Sequence, residues 1–175
     1  MAQQATASQA VDRQWLEDFL ERWDAAWDSH EPDRVLELMT DDVVYDDSSW
    51  SKTMRGHADV REFLEYVWRG MPDVRFRTIE GPFLHPSEPK ASFYWVGTGT
   101  HTGPTDPPGL SPTGKSVEFN GADFHEYRDG KVARLTIVFD MSELMRQLGV
   151  LPPEGSRQER VMAKLTNLRG RLPGG

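Results

Sequence analysis

The chain has 175 residues, with 20 Lys and Arg against 28 Asp and Glu, a formal net charge of −8 and no cysteine. That length suits one domain with an appended tail, able to bury roughly two thirds of its unfolded surface without a disulfide or structural metal. An acidic chain without a basic stripe repels phosphate backbones, so nucleic acid is not an expected partner. The lack of cysteine removes thiol catalysis and cysteine metal sites, and is compatible with a reducing cytoplasm.

The apolar runs are too short to span a bilayer. The opening MAQQATASQA carries no positive end ahead of an apolar core, so no secretory signal is expected. Residues 1–11 read as a flexible lead-in, 12–152 as one domain, and 153–175 as a tail helix with a loose end. Six tryptophans and eight phenylalanines concentrate the apolar content in large rings. Rings of this kind build a core or line a cavity for a flat ligand, and composition alone favours the core.

From about Val11 to Asp28 the period is helical: Trp15, Phe19, Trp23 and Trp27 recur every fourth position, beside Leu16 and Leu20. Pro32 suits the first turn of a second helix with Val35, Leu36, Leu38 and Met39 on its apolar side. Val43 to Asp47 reads as a short strand, and Ser48 to Gly56 as a polar turn. A third helix is expected from about His57 to Arg69, buried through Val60, Phe63, Leu64, Val67 and Trp68, with Gly70 just past its end. The period then changes. Val74 to Leu84, Ala91 to His101, Ser116 to Tyr127 and Val132 to Phe139 read as strands. Asp129-Gly130 signals a two-residue hairpin between the last two. Pro104 to Gly114 is a proline-rich loop of the length often found at a pocket mouth. Met141 to Leu148 forms a short helix closed by Gly149. Ser156 and Glu159 have capping-box spacing ahead of a tail helix with Val161, Met162, Leu165 and Leu168, placed to dock on the domain or on a neighbouring subunit. Helices first and antiparallel strands after them indicate α+β, with a mostly antiparallel mixed sheet curling over three N-terminal helices into a conical barrel that leaves a cavity at its open end.

The chemistry-bearing residues are few. Asp123 lies in mid-strand, where aspartate is disfavoured, and alternation puts Phe119, Gly121, Asp123, His125 and Tyr127 on one face. A carboxyl among rings, away from bulk water, holds its proton more tightly, and can donate a hydrogen bond to an enolate or act as acid or base near neutral pH. The alternative is an aspartate at a wetted edge. In DDVVYDD, Tyr45 and Asp47 share a face and Asp46 points away; a solvated acidic turn is the competing explanation. His101 ends a strand on the face of Phe93 and Trp95, and either orients a carbonyl, relays a proton or is simply hydrogen-bonded. The histidines lack the local spacing of a ligand motif, so no metal is expected.

Four segments carry a resemblance to a known family: the tryptophan-rich helix leading to HEPDRVLELMTDDVVYDD; RGHADVREFLEYVWRGMPDVRF; VGTGTHTG with the later SPTGKSVEFNGADFHEYRDGKV; and FDMSELMRQLGVLP. Their order and spacing over about residues 12–152 resemble the nuclear transport factor 2-like superfamily, most closely its SnoaL-like polyketide cyclases. The resemblance implies a catalytic aspartate at Asp123, where ketosteroid isomerases carry a protonated aspartate, and places Asp47 at the isomerase general-base position. Trp23 falls where the isomerase has a tyrosine, a departure, because indole donates only through its N–H. It further implies a pocket lined by Trp23, Trp27, Trp68, Trp95, Phe119 and His125, with His101, Asp47, Tyr45 and Trp50 positioning oxygens of a small apolar or polycyclic carbonyl substrate. Aldol-type cyclisation or isomerisation through an enolate needs no metal or organic cofactor. A homodimer or a larger closed homo-oligomer joined through the outer sheet faces is the expected assembly. A non-catalytic binding protein and a dimerising interaction domain are the rival classes.

Overall fold

The computed structural model describes residues 10–106 and 108–169. Most of the expected lead-in, Pro107, the side chain of Leu168 and the expected loose end at 173–175 lie outside the described residues. In chain order the elements are α1 (Arg13–Ser29), α2 (Pro32–Glu37), β1 (Met39–Asp47), β2 (Met54–Arg55), α3 (Gly56–Gly70), β3 (Arg75–Leu84), β4 (Lys90–Thr100), β5 (Ser116–Arg128), β6 (Lys131–Phe139), α4 (Met141–Leu148) and α5 (Arg157–Arg169).

Local chemistry explains the boundaries. The Asp12 carboxylate accepts the Trp15 N–H at 3.0 Å and caps α1, and Asp140 caps α4 through the Glu143 N–H. Pro32 occupies the first turn of α2. Asp129 and Gly130 both take positive φ, 54° and 74°, the pair that a tight β5–β6 hairpin demands.

The six strands form one mixed sheet in the order β2-β1-β6-β5-β4-β3, with β1 parallel to β6 and every other pair antiparallel. Helices α1, α3 and α4 pack on β3, β1 and β5 respectively. Alternation sends Phe93 and Trp95 of β4, and Phe119, Asp123, His125 and Tyr127 of β5, to the buried inner face. There they meet the α1 stripe of Leu16, Phe19, Trp23 and Trp27. The α+β architecture and its curved mixed sheet are thus as expected.

Several details differ. β1 begins at Met39, because Met39 and Val43 are both fully buried around a register shift against β6. The expected turn at Ser48–Gly56 contains β2, where Met54 pairs with Tyr45 and is itself fully buried. Gly70 is the last residue of α3 rather than its cap. A side chain there would meet the Thr105 hydroxyl, 2.8 Å from the position of a Cβ. The expected capping box is half formed: Ser156 accepts the Glu159 N–H, but the Glu159 carboxylate accepts from Gly155. The tail helix does not dock on its own domain through its apolar residues, since Val161 and Leu165 are 56% and 59% exposed. Among the described residues no helix is long and apolar enough to cross a membrane.

Candidate functional site

Between the inner sheet face and helices α1, α3 and α4 lies a cavity of about 720 Å³, within the usual range for a small-molecule site. Its wall is mostly rings and aliphatic groups. The apolar side of α4, with Leu144, Met145 and Leu148, closes one flank. Against that wall stand four carboxylates: Asp24 from α1, Asp47 from β1, Asp123 from β5 and, at the exposed rim, Glu62 from α3, which is paired with Lys52.

Asp123 is held from two sides. Trp95 Nε1 donates to its Oδ1 at 2.5 Å, and His125 Nε2 lies 3.4 Å from its Oδ2. His125 Nδ1 in turn is 3.0 Å from the Tyr127 hydroxyl. With the proton on Nε2, the chain runs Tyr127 O–H to His125, His125 N–H to Asp123, and Trp95 N–H to Asp123. His125 is 1% exposed, and its ring is gripped edge-on by Trp23 and Phe93. Asp123 is 7% exposed and lines the cavity, so its orientation is fixed while its carboxyl stays within reach of a ligand.

Asp47 accepts from the Tyr45 hydroxyl at 3.0 Å, the Ser49 N–H at 2.8 Å and the Ser49 hydroxyl at 2.5 Å. Burial pushes its proton affinity above the ordinary carboxylate range; the bonds from Ser49 and Tyr45 oppose that rise and the Asp123 charge adds to it. Tyr45, fully buried, is driven well up by desolvation and then by the charges of Asp47 and Asp123, so it remains a neutral donor. Asp46 points the other way, toward Thr53 and Arg134.

The sequence did not mark Asp24. It faces the cavity one turn after Leu20 and beside Trp23, half-buried, with no hydrogen bond or ion pair among the described residues. Burial first, then the charges of Asp28 and Asp123, push its pKa up to about 6. The helical spacing of Leu20, Asp24 and Trp27 is the signal that would have placed it on the wall.

A raised carboxylate pKa means that the folded chain binds more protons than the unfolded one between about pH 4 and 6, so this contribution to stability is lost as pH rises through that window. Asp24→Asn is therefore expected to stabilise the protein at pH 7.5, by of order 1 kcal/mol once solvent screening of a half-exposed group is allowed for. That corresponds to about 2–4 °C in Tm. At pH 4 the gain should vanish. Equal Tm shifts at both pH values would contradict the charge argument.

Other expected site residues are distributed unevenly. Trp23, Trp27, Tyr45, Trp50, Trp95 and Phe119 line the cavity. Trp68 and His125 are not on its wall. Trp68 packs behind Trp27 and against His30, and His125 backs Asp123. His101 lines the cavity, but both ring nitrogens are committed. The Thr113 N–H donates to Nδ1 at 3.2 Å, so Nε2 carries the proton and donates to the Thr105 hydroxyl at 2.9 Å. Burial lowers its proton affinity. A neutral histidine with no free nitrogen braces the loop after β4 rather than relaying a proton. Among the described residues no group of three His, Asp or Glu side chains is arranged to hold a metal ion.

Comparisons with known proteins agree with this geometry. The chain is similar to AclR, a provisionally assigned hydroxylase from Streptomyces galilaeus, at 21% identity and TM-score 0.66, covering 91% of this chain and 96% of that one. It is similar to a protein of ketosteroid isomerase-like fold from Catenulispora acidiphila, solved with trimethylamine, at 16% identity and TM-score 0.63, over 78% and 98% of the two chains. IdmH of Streptomyces antibioticus, a provisionally assigned polyketide cyclase, aligns at 18% identity and TM-score 0.62, over 76% and 97%. At these identities the likeness establishes the fold. No curated protein matches the chain. The SnoaL-like polyketide cyclase family matches residues 17–148, the span that carries the sheet and the carboxylates Asp24, Asp47 and Asp123, and the chain belongs to that family.

Proposed function

We propose that the protein is an acid–base enzyme acting on a polyketide-like or other polycyclic carbonyl compound, most simply an aldol-type cyclisation or an isomerisation through an enolate. The observation that supports this most is Asp123: a buried carboxylate in a ring-lined cavity, fixed by Trp95 and His125 with its carboxyl still on the wall. In the proposed cycle Asp123 takes a proton from a carbon next to the substrate carbonyl, leaving an enolate. The enolate carbon attacks a second carbonyl carbon of the same molecule, the new C–C bond closes a ring, and the resulting alkoxide takes up a proton. Asp47, whose Oδ2 accepts only from the Tyr45 hydroxyl among the described residues, takes a hydrogen bond from a substrate hydroxyl at the far side. Trp27 and Trp50, both on the wall, have buried indole N–H groups without a partner among the described residues. The flat rings set the substrate plane.

The test is exchange of α-hydrogens for deuterium on an enolisable bicyclic ketone, 2-tetralone, followed by NMR. The enzyme reading expects protein-dependent acceleration. Binding without acceleration would favour the second reading, a binding protein, which the largely apolar wall also suits.

The proposal includes a homodimer in a cytoplasmic setting. On the outer sheet face Phe83, Tyr94, Phe124 and Val138 are each more than a third exposed. Tyr94 and Val138 both pair with Ala122, one on either side, so they share one patch. Such a patch is larger than scattered surface apolar residues explain. Phe124→Glu is expected to reduce the sedimenting mass to that of one chain. An unchanged mass would place the contact elsewhere.

A further inference from the structure

We propose that Asp24 is the general acid of the cavity, delivering its proton to the substrate oxygen on which charge develops while Asp123 takes the proton from carbon. This rests on the acid–base reading above and adds the group that it lacks. An aldol step needs both a base at carbon and a proton for the new alkoxide. Asp123 can serve as only one of these at a time. Asp47 already accepts three hydrogen bonds from Ser49 and Tyr45, which oppose its protonation, and His101 has no free nitrogen.

Asp24 alone among the four cavity carboxylates has no protein partner among the described residues, Glu62 being paired with Lys52, so its oxygens are left for a ligand. The titratable groups that bear on it are Asp28, one turn further along α1, and Asp123 from β5. The Asp28 charge is partly met by Arg75, 3.9 Å away; among the described residues no cation is paired with Asp24. Elsewhere on the wall stand Tyr45 and Asp47 of β1, Lys52 in the loop after β1, Glu62 and Tyr66 of α3, and His101.

With its pKa already about 6 in the open cavity, Asp24 is mostly ionised at neutral pH. An apolar ligand that fills the cavity strips away its remaining water and favours the neutral acid. That acid then donates a hydrogen bond to the ligand carbonyl and, in the reaction, its proton to the alkoxide. The proton captured by Asp123 restores the balance through solvent when product leaves. Nothing is oxidised or reduced.

The consequence is proton uptake on binding. The probe is 9-fluorenone, a flat tricyclic ketone with no α-hydrogen, which binds without turnover. Calorimetry at pH 7 in buffers of different ionisation enthalpy reads the protons taken up. The expected result for the full-length protein is uptake approaching one proton per ligand, with Kd weakening by up to about tenfold per pH unit above neutral. Asp24→Asn, a near-isosteric change on a half-exposed helix position, should retain binding and lose the uptake. Asp24→Glu should restore it, and Asp46→Asn, on the opposite face of β1 and held by Thr53 and Arg134, should leave it intact. Fluorenone bound with no uptake, or with uptake unchanged in Asp24→Asn, overturns the role of Asp24 and leaves the proposed function standing. Failure of fluorenone to bind the unaltered protein overturns both.

Discussion

Asp123→Asn is expected to slow protein-dependent α-hydrogen exchange by about 10²–10⁴-fold, the usual consequence of losing a positioned acid–base group. The substitution isolates chemistry from folding because its surroundings can adapt. Asparagine Oδ1 still accepts the Trp95 N–H, which the carboxylate receives at 2.5 Å. The new amide N–H then faces His125 Nε2 at the position of the old Oδ2. If the imidazole proton moves to Nδ1, Nε2 accepts from the amide and Nδ1 donates to Tyr127, whose oxygen lies 3.0 Å away. The Trp95, His125 and Tyr127 polar atoms in this array each keep a partner, so stability should change little. Removal of the Asp123 charge also relieves Asp24 and Asp47, both of which it pushes upward. Full exchange activity in Asp123→Asn, with the fold intact, would end its assignment as the base. A large loss of Tm would show instead that the carboxylate is a structural acceptor.

The fold was legible because its signals are local. A four-residue ring period, a Pro at a helix start, an Asp-Gly pair between alternating strands and a glycine after α4 each act over a few residues. Tyr45 and Asp47 could be separated from Asp46 because strand alternation is binary. What escaped depends on contacts between distant segments. Met54 is a strand residue only because β1 offers it an edge. His101 has no free nitrogen only because Thr105 and Thr113 return to it from a loop that no local pattern folds. Trp68 belongs to the same stripe as the cavity rings, but the angle at which α3 meets α1 sets it behind Trp27. Asp24 was missed for a different reason. An aspartate on a helix is ordinarily solvated, and only the depth of the cavity beside α1 makes this one a wall residue.

Gly121→Ala is expected to be among the most damaging single methyl additions in the chain, because the geometry around Asp123 depends on an empty place in β5. Gly121 sits directly opposite Trp95 in the β4–β5 register. The Trp95 indole lies across it, and a Cβ at position 121 would stand 2.2 Å from Trp95 Cζ2 and 2.5 Å from Cη2. The indole has little room to retreat. Phe76, Phe119 and Phe139 surround it with ring centroids at 5.3, 5.7 and 6.2 Å. Overpacking of this kind costs typically about 1–3 kcal/mol. Here it also drags the indole N–H from Asp123, and a charge-assisted bond of that type contributes about 1.5–3 kcal/mol. Both stability, read by denaturant unfolding, and α-hydrogen exchange should therefore fall together. Trp95→Leu separates the two causes. Alone it removes the N–H and opens space. Combined with Gly121→Ala it should accept the added methyl at far lower cost than the native background does, giving a coupling energy of opposite sign to the single losses. If the two substitutions instead add, position 121 acts through the backbone of β5. The empty place would then belong to the sheet and not to the indole that holds Asp123.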